Sequence, residues 1–173
     1  MKNSSDNYQL PPFIIANMYK NNLVLINDIV KEKSIQQSVS TAISFLGENK
    51  KNIVLLINEK NAVHIKDDNL AFLNNILLAC KLNMADVAIV NCFNQKVNFN
   101  VLKNQFAATV YIAFAIDSAA IQLPFQTTLY EPFNSNNFIW LQANALDSMI
   151  ENNNEAKAEK RKLWNCLKLI FNL

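Results

Sequence analysis

Ile53-Val54-Leu55-Leu56-Ile57-Asn58-Glu59 and Val87-Ala88-Ile89-Val90-Asn91 are the stretches whose reading decides the fold. Each opens with an uninterrupted apolar run, the pattern of a strand buried on both faces of a parallel sheet, and each run ends in asparagine. Between them Leu70, Leu73, Ile76, Leu77 and Cys80 recur at helical spacing, so the whole reads as strand, helix, strand with a right-handed crossover. Ligands and partners meet such sheets at the carboxyl ends of the strands. That places Asn58, Glu59, Asn91 and Phe93 on one rim, where a functional site is to be sought first.

Upstream, Leu23-Val24-Leu25-Ile26 reads as an edge strand, and Ile35, Val39, Ala42, Ile43 and Leu46 follow helical spacing with Gly47 as the stop. Between the two core strands, Asp67 or Asp68 is expected to cap a helix running to Leu82. Downstream, residues 97–106 read as a helix and residues 109–114 as a third buried strand. Asp117-Ser118 is suited to cap a short helix ending at Leu123-Pro124. Residues 127–130 and 137–141 read as short strands, with Asn134-Ser135-Asn136 turning between them. Asn152 and Glu155 fit a capping box for a last helix whose apolar face is Leu163, Trp164, Leu167, Ile170 and Phe171.

The chain's 173 residues, 51% of them hydrophobic, suit one domain with a sizeable core. Residues 23–173 are expected to form that α/β domain and residues 1–22 a flexible or docking arm. Within the arm, Leu10, Pro11, Pro12, Phe13 and Ile14 set an apolar cluster beside a rigid Pro-Pro. Two readings stand for it: packing on its own domain, or binding a partner. A formal net charge of +2 gives no strong field for nucleic acid or an anionic membrane. A single glycine excludes a Walker-type phosphate loop and a dinucleotide fingerprint, so no nucleotide cofactor is expected. One histidine and cysteines at 80, 92 and 166 give no zinc spacing, so no metal is expected either. His64, alone in a polar loop, reads as a solvated side chain. The amino terminus lacks the apolar core of a signal peptide, and the longest uncharged apolar run, residues 106–116, is too short to span a bilayer. With an odd number of cysteines in apolar surroundings, a cytoplasmic protein with reduced thiols is expected. Lys157, Lys160, Arg161 and Lys162 cluster on the last helix, as its solvated side or as a phosphate-binding face.

Four segments carry a resemblance. Val87-Ala88-Ile89-Val90-Asn91 is similar to the strand whose terminal asparagine reads the base in the uracil-DNA glycosylase superfamily. Phe114-Ala115-Ile116-Asp117-Ser118-Ala119-Ala120 resembles that superfamily's strand entering an alanine-rich helix, with Ala115 where glycine is usual. Gln142-Ala143-Asn144-Ala145-Leu146 stands at the place of the His-Pro-Ser motif, which sets Gln142 on the same rim near Glu59 and Asn91, with Phe93 or Phe125 expected to occupy part of the space if catalysis is lost. Asn154-Glu155-Ala156-Lys157, followed by Lys162-Leu163-Trp164-Asn165-Cys166-Leu167, is similar to the family's carboxy-terminal ending. The resemblance implies a three-layer α/β sandwich with a central, mostly parallel sheet.

It also implies an inactive member. The loop after the first strand is Asn58-Glu59-Lys60-Asn61-Ala62, in which only Glu59 has a counterpart, the water-orienting acid of the glycosylases. Gln142 donates a neutral hydrogen bond but carries no positive charge for a departing base. Three cysteines fall short of the four that the iron-sulfur members need. In plan the chain is nearest the non-catalytic psi-subunit family of the bacterial DNA polymerase III holoenzyme. That resemblance implies a protein–protein adaptor of the replication machinery, with clamp-loader proteins as partners and at most weak contact with single-stranded DNA. The alternatives are a divergent base-excision glycosylase acting through Glu59, and a single-stranded nucleic-acid binder without catalysis.

Overall fold

The computed structural model describes residues 42–173. Its strands, in chain order, are Leu46–Gly47 (β1), Ile53–Ile57 (β2), Val87–Asn91 (β3), Val110–Phe114 (β4), Phe133–Asn134 (β5) and Ile139–Ala143 (β6). They form one six-stranded sheet in the order β1-β3-β2-β4-β6-β5. The pairs β3–β2, β2–β4 and β4–β6 are parallel, and the two-residue edge strands β1 and β5 run antiparallel to their neighbours. Every residue of β2, β3 and β4 is buried, which is why these segments are apolar without alternation.

Alternate side chains divide the core between the two faces. Leu55, Ile57, Val87, Ile89, Ile112 and Phe114 pack with residues of three helices: Asp67–Ala79 (α1), Leu146–Ile150 (α3) and Asn154–Phe171 (α4). Val54, Leu56, Val90, Tyr111, Ala113 and Trp140 pack with Phe99, Leu102 and Phe106 of Phe99–Phe106 (α2) on the other face. Phe99 is central there, its ring centroid 5.5–5.8 Å from those of Tyr111, Phe125, Phe138 and Trp140. Such pairs add about 0.5–1.5 kcal/mol each beyond area burial. Among the described residues no helix is long and apolar enough to cross a membrane.

Several expectations are corrected. Ala42 and Ile43 lie outside any helix and Leu46 and Gly47 form β1, so Gly47 is no helix stop. Its φ is +105°, and a Cβ there would lie 2.2 Å from the Val87 carbonyl oxygen, so glycine is required by close approach to β3. Neither Asp67 nor Asp68 caps α1: its N-cap is Lys66, and both aspartates lie in the first turn, favourably placed against the helix dipole. The last helix is capped by Asn153, whose side chain accepts from the Ala156 amide at 2.6 Å, not by Asn152. Residues 118–122 form turns instead of a helix, and residues 127–130 contribute a single bridge, Leu129 to Gln142. Leu23–Ile26, the arm at Leu10–Ile14 and the boundary at residue 22 lie outside the described residues.

Candidate functional site

The parallel strands deliver Asn58, Glu59, Asn91 and Phe93 to one edge of the sheet, and internal bonds hold the first turn of that edge closed. Asn91 is 1% exposed. Its side-chain oxygen accepts from the Glu59 amide and the Phe93 amide, both at 3.1 Å. Its nitrogen donates to the carbonyls of Glu59 at 2.8 Å and Ala62 at 2.9 Å. Both ends of the carboxamide are therefore engaged in shaping the chain's own loops, a buried arrangement that leaves no orphaned group.

Glu59 is also buried, and its carboxylate faces α1. One oxygen accepts from the Lys66 backbone amide at 2.7 Å, so Glu59 serves the helix start that neither aspartate caps. The other accepts from the Asn69 side chain at 2.6 Å, and the same Asn69 nitrogen donates to Asp147 at 2.7 Å. Glu59, Asn69 and Asp147 border a space of only about 30 Å³. One water needs roughly 10–15 Å³ by this measure, so the space suits a water and not a nucleobase.

Gln142 belongs to a different environment. Strand register sets it level with Ala113 and Leu56, whose side chains pack on the α2 face, whereas Asn91 is level with Ile57 on the opposite face. Parallel neighbours point the same way, so the Gln142 and Asn91 side chains leave the sheet on opposite sides. Gln142 donates to the Ile116 carbonyl at 2.7 Å and accepts from the Trp140 ring at 3.4 Å.

The open space at this edge lies on the α2 side, a cleft of about 530 Å³. Asn58, the loop from Cys92 to Asn98, and Ile116, Asp117 and Gln122 line it, with Phe93 51% exposed at its margin. Phe125 lies instead in the aromatic cluster, stacked on Phe133 with centroids 4.2 Å apart. Burial pushes the Cys92 thiol up to about 12, which keeps it protonated and unreactive at neutral pH. Among the described residues no group of three His, Cys, Asp or Glu side chains is arranged to hold a metal.

No protein-family model and no curated protein matches this chain. Its chemistry is therefore read from its own geometry. The clustered basic residues Lys157, Lys160, Arg161 and Lys162 of α4 do not make one face. Lys162 pairs with Glu159 at 2.8 Å and lies over the Tyr130 ring, and Lys160 lies over the Phe72 ring at 5.5 Å. Lys162 projects roughly 140° round the helix from Lys157. Lys157 and Arg161 are exposed.

Asn69, Lys66, Asp147 and Gln95 are participants at this edge that the sequence reading did not single out. For Asn69 a signal existed, since it shares a stripe with Leu73 and Leu77 at spacings of four and is buried with them. The Lys66 ammonium, 2.9 Å away, and the Asn69 amide hold the Asp147 carboxyl below its ordinary value. A carboxylate so depressed contributes stability above its unfolded value, about 3.9, and loses it as the pH falls through the folded value. Asp147→Asn is thus expected to lower stability slightly at neutral pH and to flatten the acid limb, the difference between the two proteins shrinking as the pH falls below about 4. Superimposable acid limbs for the two proteins would refute this.

Proposed function

We propose that the chain is an enzymatically inactive α/β domain of the uracil-DNA glycosylase-like plan, a three-layer sandwich about a mostly parallel sheet. Its proposed work is that of a cytoplasmic protein–protein adaptor in DNA replication, in the manner of the psi subunit. The observation carrying this reading is the engagement of the rim. Asn91 is bonded to Glu59, Ala62 and Phe93, and Glu59 to Lys66 and Asn69, around a space too small for a base. The parallel order β3-β2-β4-β6, with helices packed on both faces, supports the fold assignment. Glycosylases flip a base into a snug pocket and read its edge. A carboxamide whose oxygen and nitrogen are both bonded to the backbone has nothing left for such reading.

Affinity purification of the full chain from its native host tests the adaptor reading. Clamp-loader or other replication proteins are expected to co-purify. Phe13→Ala with Ile14→Ala is expected to abolish that co-purification if the arm makes the contact. Recovery of no replication component would count against the reading. So would release of uracil or another damaged base from a single-stranded oligonucleotide with loss of activity in Glu59→Gln.

A further inference from the structure

The last helix sorts its charges by sign. At roughly 100° per residue, Lys157, Arg161 and Lys168 fall within about 40° of one another round α4. Lys160, over the Phe72 ring of α1, and the half-buried Trp164 border them on one flank. The acids of the helix, Glu155 and Glu159, lie on its far side, each roughly 160° round from Lys157. Glu159 accepts there from Lys162, Tyr130 and Asn144. Among the described residues Lys157, Lys160, Arg161 and Lys168 take part in no ion pair, and Lys157, Arg161 and Lys168 are exposed.

The three exposed cations form a single file about 16 Å long, with no carboxylate of α4 interposed. The neighbouring α1 carries its acids only in the first turn, and its later exposed residues, Ala71, Asn75, Leu78 and Ala79, are uncharged. Like charges at a spacing of four repel one another, so the pair Lys157 and Arg161 does not aid the helix. A polyanion laid along the file relieves that repulsion and releases its own counterions. One file fits one strand. A duplex sets two backbones across grooves of about 6–12 Å, and neither α1 nor α3 offers a second basic row. An anionic membrane is a poorer match, because the apolar face that would enter it, Leu163, Cys166 and Leu167, is buried in the core.

We propose that Lys157, Arg161 and Lys168 bind the phosphate backbone of single-stranded nucleic acid without reading its sequence, with the exposed part of Trp164 beside the strand. The contact is independent of the adaptor reading, since it needs neither the arm nor a protein partner. Lys168 joins this face, and Lys162 leaves it for Glu159. With a net charge of only +2 on the whole chain, the attraction is local and is screened as salt rises.

The test is the fluorescence anisotropy of a labelled single-stranded oligothymidylate titrated with the full chain at several salt concentrations. Binding is expected at low salt, with log K falling against log salt at a slope of about −2, the value for three contacts on a single strand. Lys157→Gln, Arg161→Gln and Lys168→Gln combined should weaken low-salt binding by about tenfold or more and flatten that slope, without lowering the unfolding midpoint. Lys162→Gln, which removes an ammonium already held by Glu159, should leave both nearly unchanged. No binding at low salt, equal losses in Lys162→Gln and the triple variant, or tighter binding to the corresponding duplex, to polyglutamate or to anionic lipid vesicles would overturn the assignment. None of those results bears on the adaptor reading, which is decided by whether replication proteins co-purify.

Discussion

Asn91→Ala is expected to lower the folding free energy by about 3 kcal/mol, seen as a fall in the urea midpoint at unchanged slope. The substitution removes the acceptor of the Glu59 and Phe93 amides and the donor to the Glu59 and Ala62 carbonyls. Each buried group left without a partner costs about 1–3 kcal/mol, and water reaching the loop offsets part of the total. Asn91→Asp should fare no better, because it sets a carboxylate against two carbonyl oxygens that now receive N–H bonds. The experiment separates two roles for one residue. An asparagine held open to read a base contributes to binding and little to folding, whereas this one ties the ends of β2 and β3 to their loops. A loss below about 1 kcal/mol would show that the bonds are readily replaced by water and would free Asn91 for recognition.

The middle of the sheet was legible because burial on both faces leaves one composition. The apolar runs at 53–57 and 87–90 have no other economical reading, and the strands span Ile53–Ile57 and Val87–Asn91. What sequence could not supply was parity at the carboxyl edge. Whether Asn91 and Gln142 share a face depends on a register passed from β3 through β2 and β4 to β6, and one step along any strand reverses it. The role of Glu59 was hidden for a related reason. A carboxylate after a strand is compatible with catalysis, solvation or capping, and the choice is made by Lys66 and Asn69, seven and ten residues further on. The cleft depends on loops after three different strands, so no local pattern announces it. Gly47 misled in the opposite sense: a glycine after a periodic apolar run is the usual mark of a helix end, and tertiary pairing with β3 overrode that local signal.

Gly47→Ala is expected to cost about 3–5 kcal/mol, the largest effect of any single methyl group considered for this protein. Two penalties combine. The backbone at φ +105° is a conformation that residues with a Cβ avoid, at about 1–3 kcal/mol. The new Cβ would also meet the carbonyl oxygens of Val87 at 2.2 Å and Met84 at 2.7 Å. Both atoms belong to the backbone, so no side chain can turn aside, and overpacking of this kind adds about 1–3 kcal/mol. Relief requires β1 to draw away from β3, opening the pairs Leu46 to Ile89 and Gly47 to Ala88. Ile43 and Ser44 remain held by Gln105 and Gln95, so the β1 amides should exchange faster than those of β2. If Gly47 merely ended a helix, alanine would be tolerated to within about 1 kcal/mol. Urea unfolding of Gly47→Ala therefore decides between a local stop signal and a close approach of two strands, and a loss under about 1 kcal/mol would reject the approach described for β1 and β3.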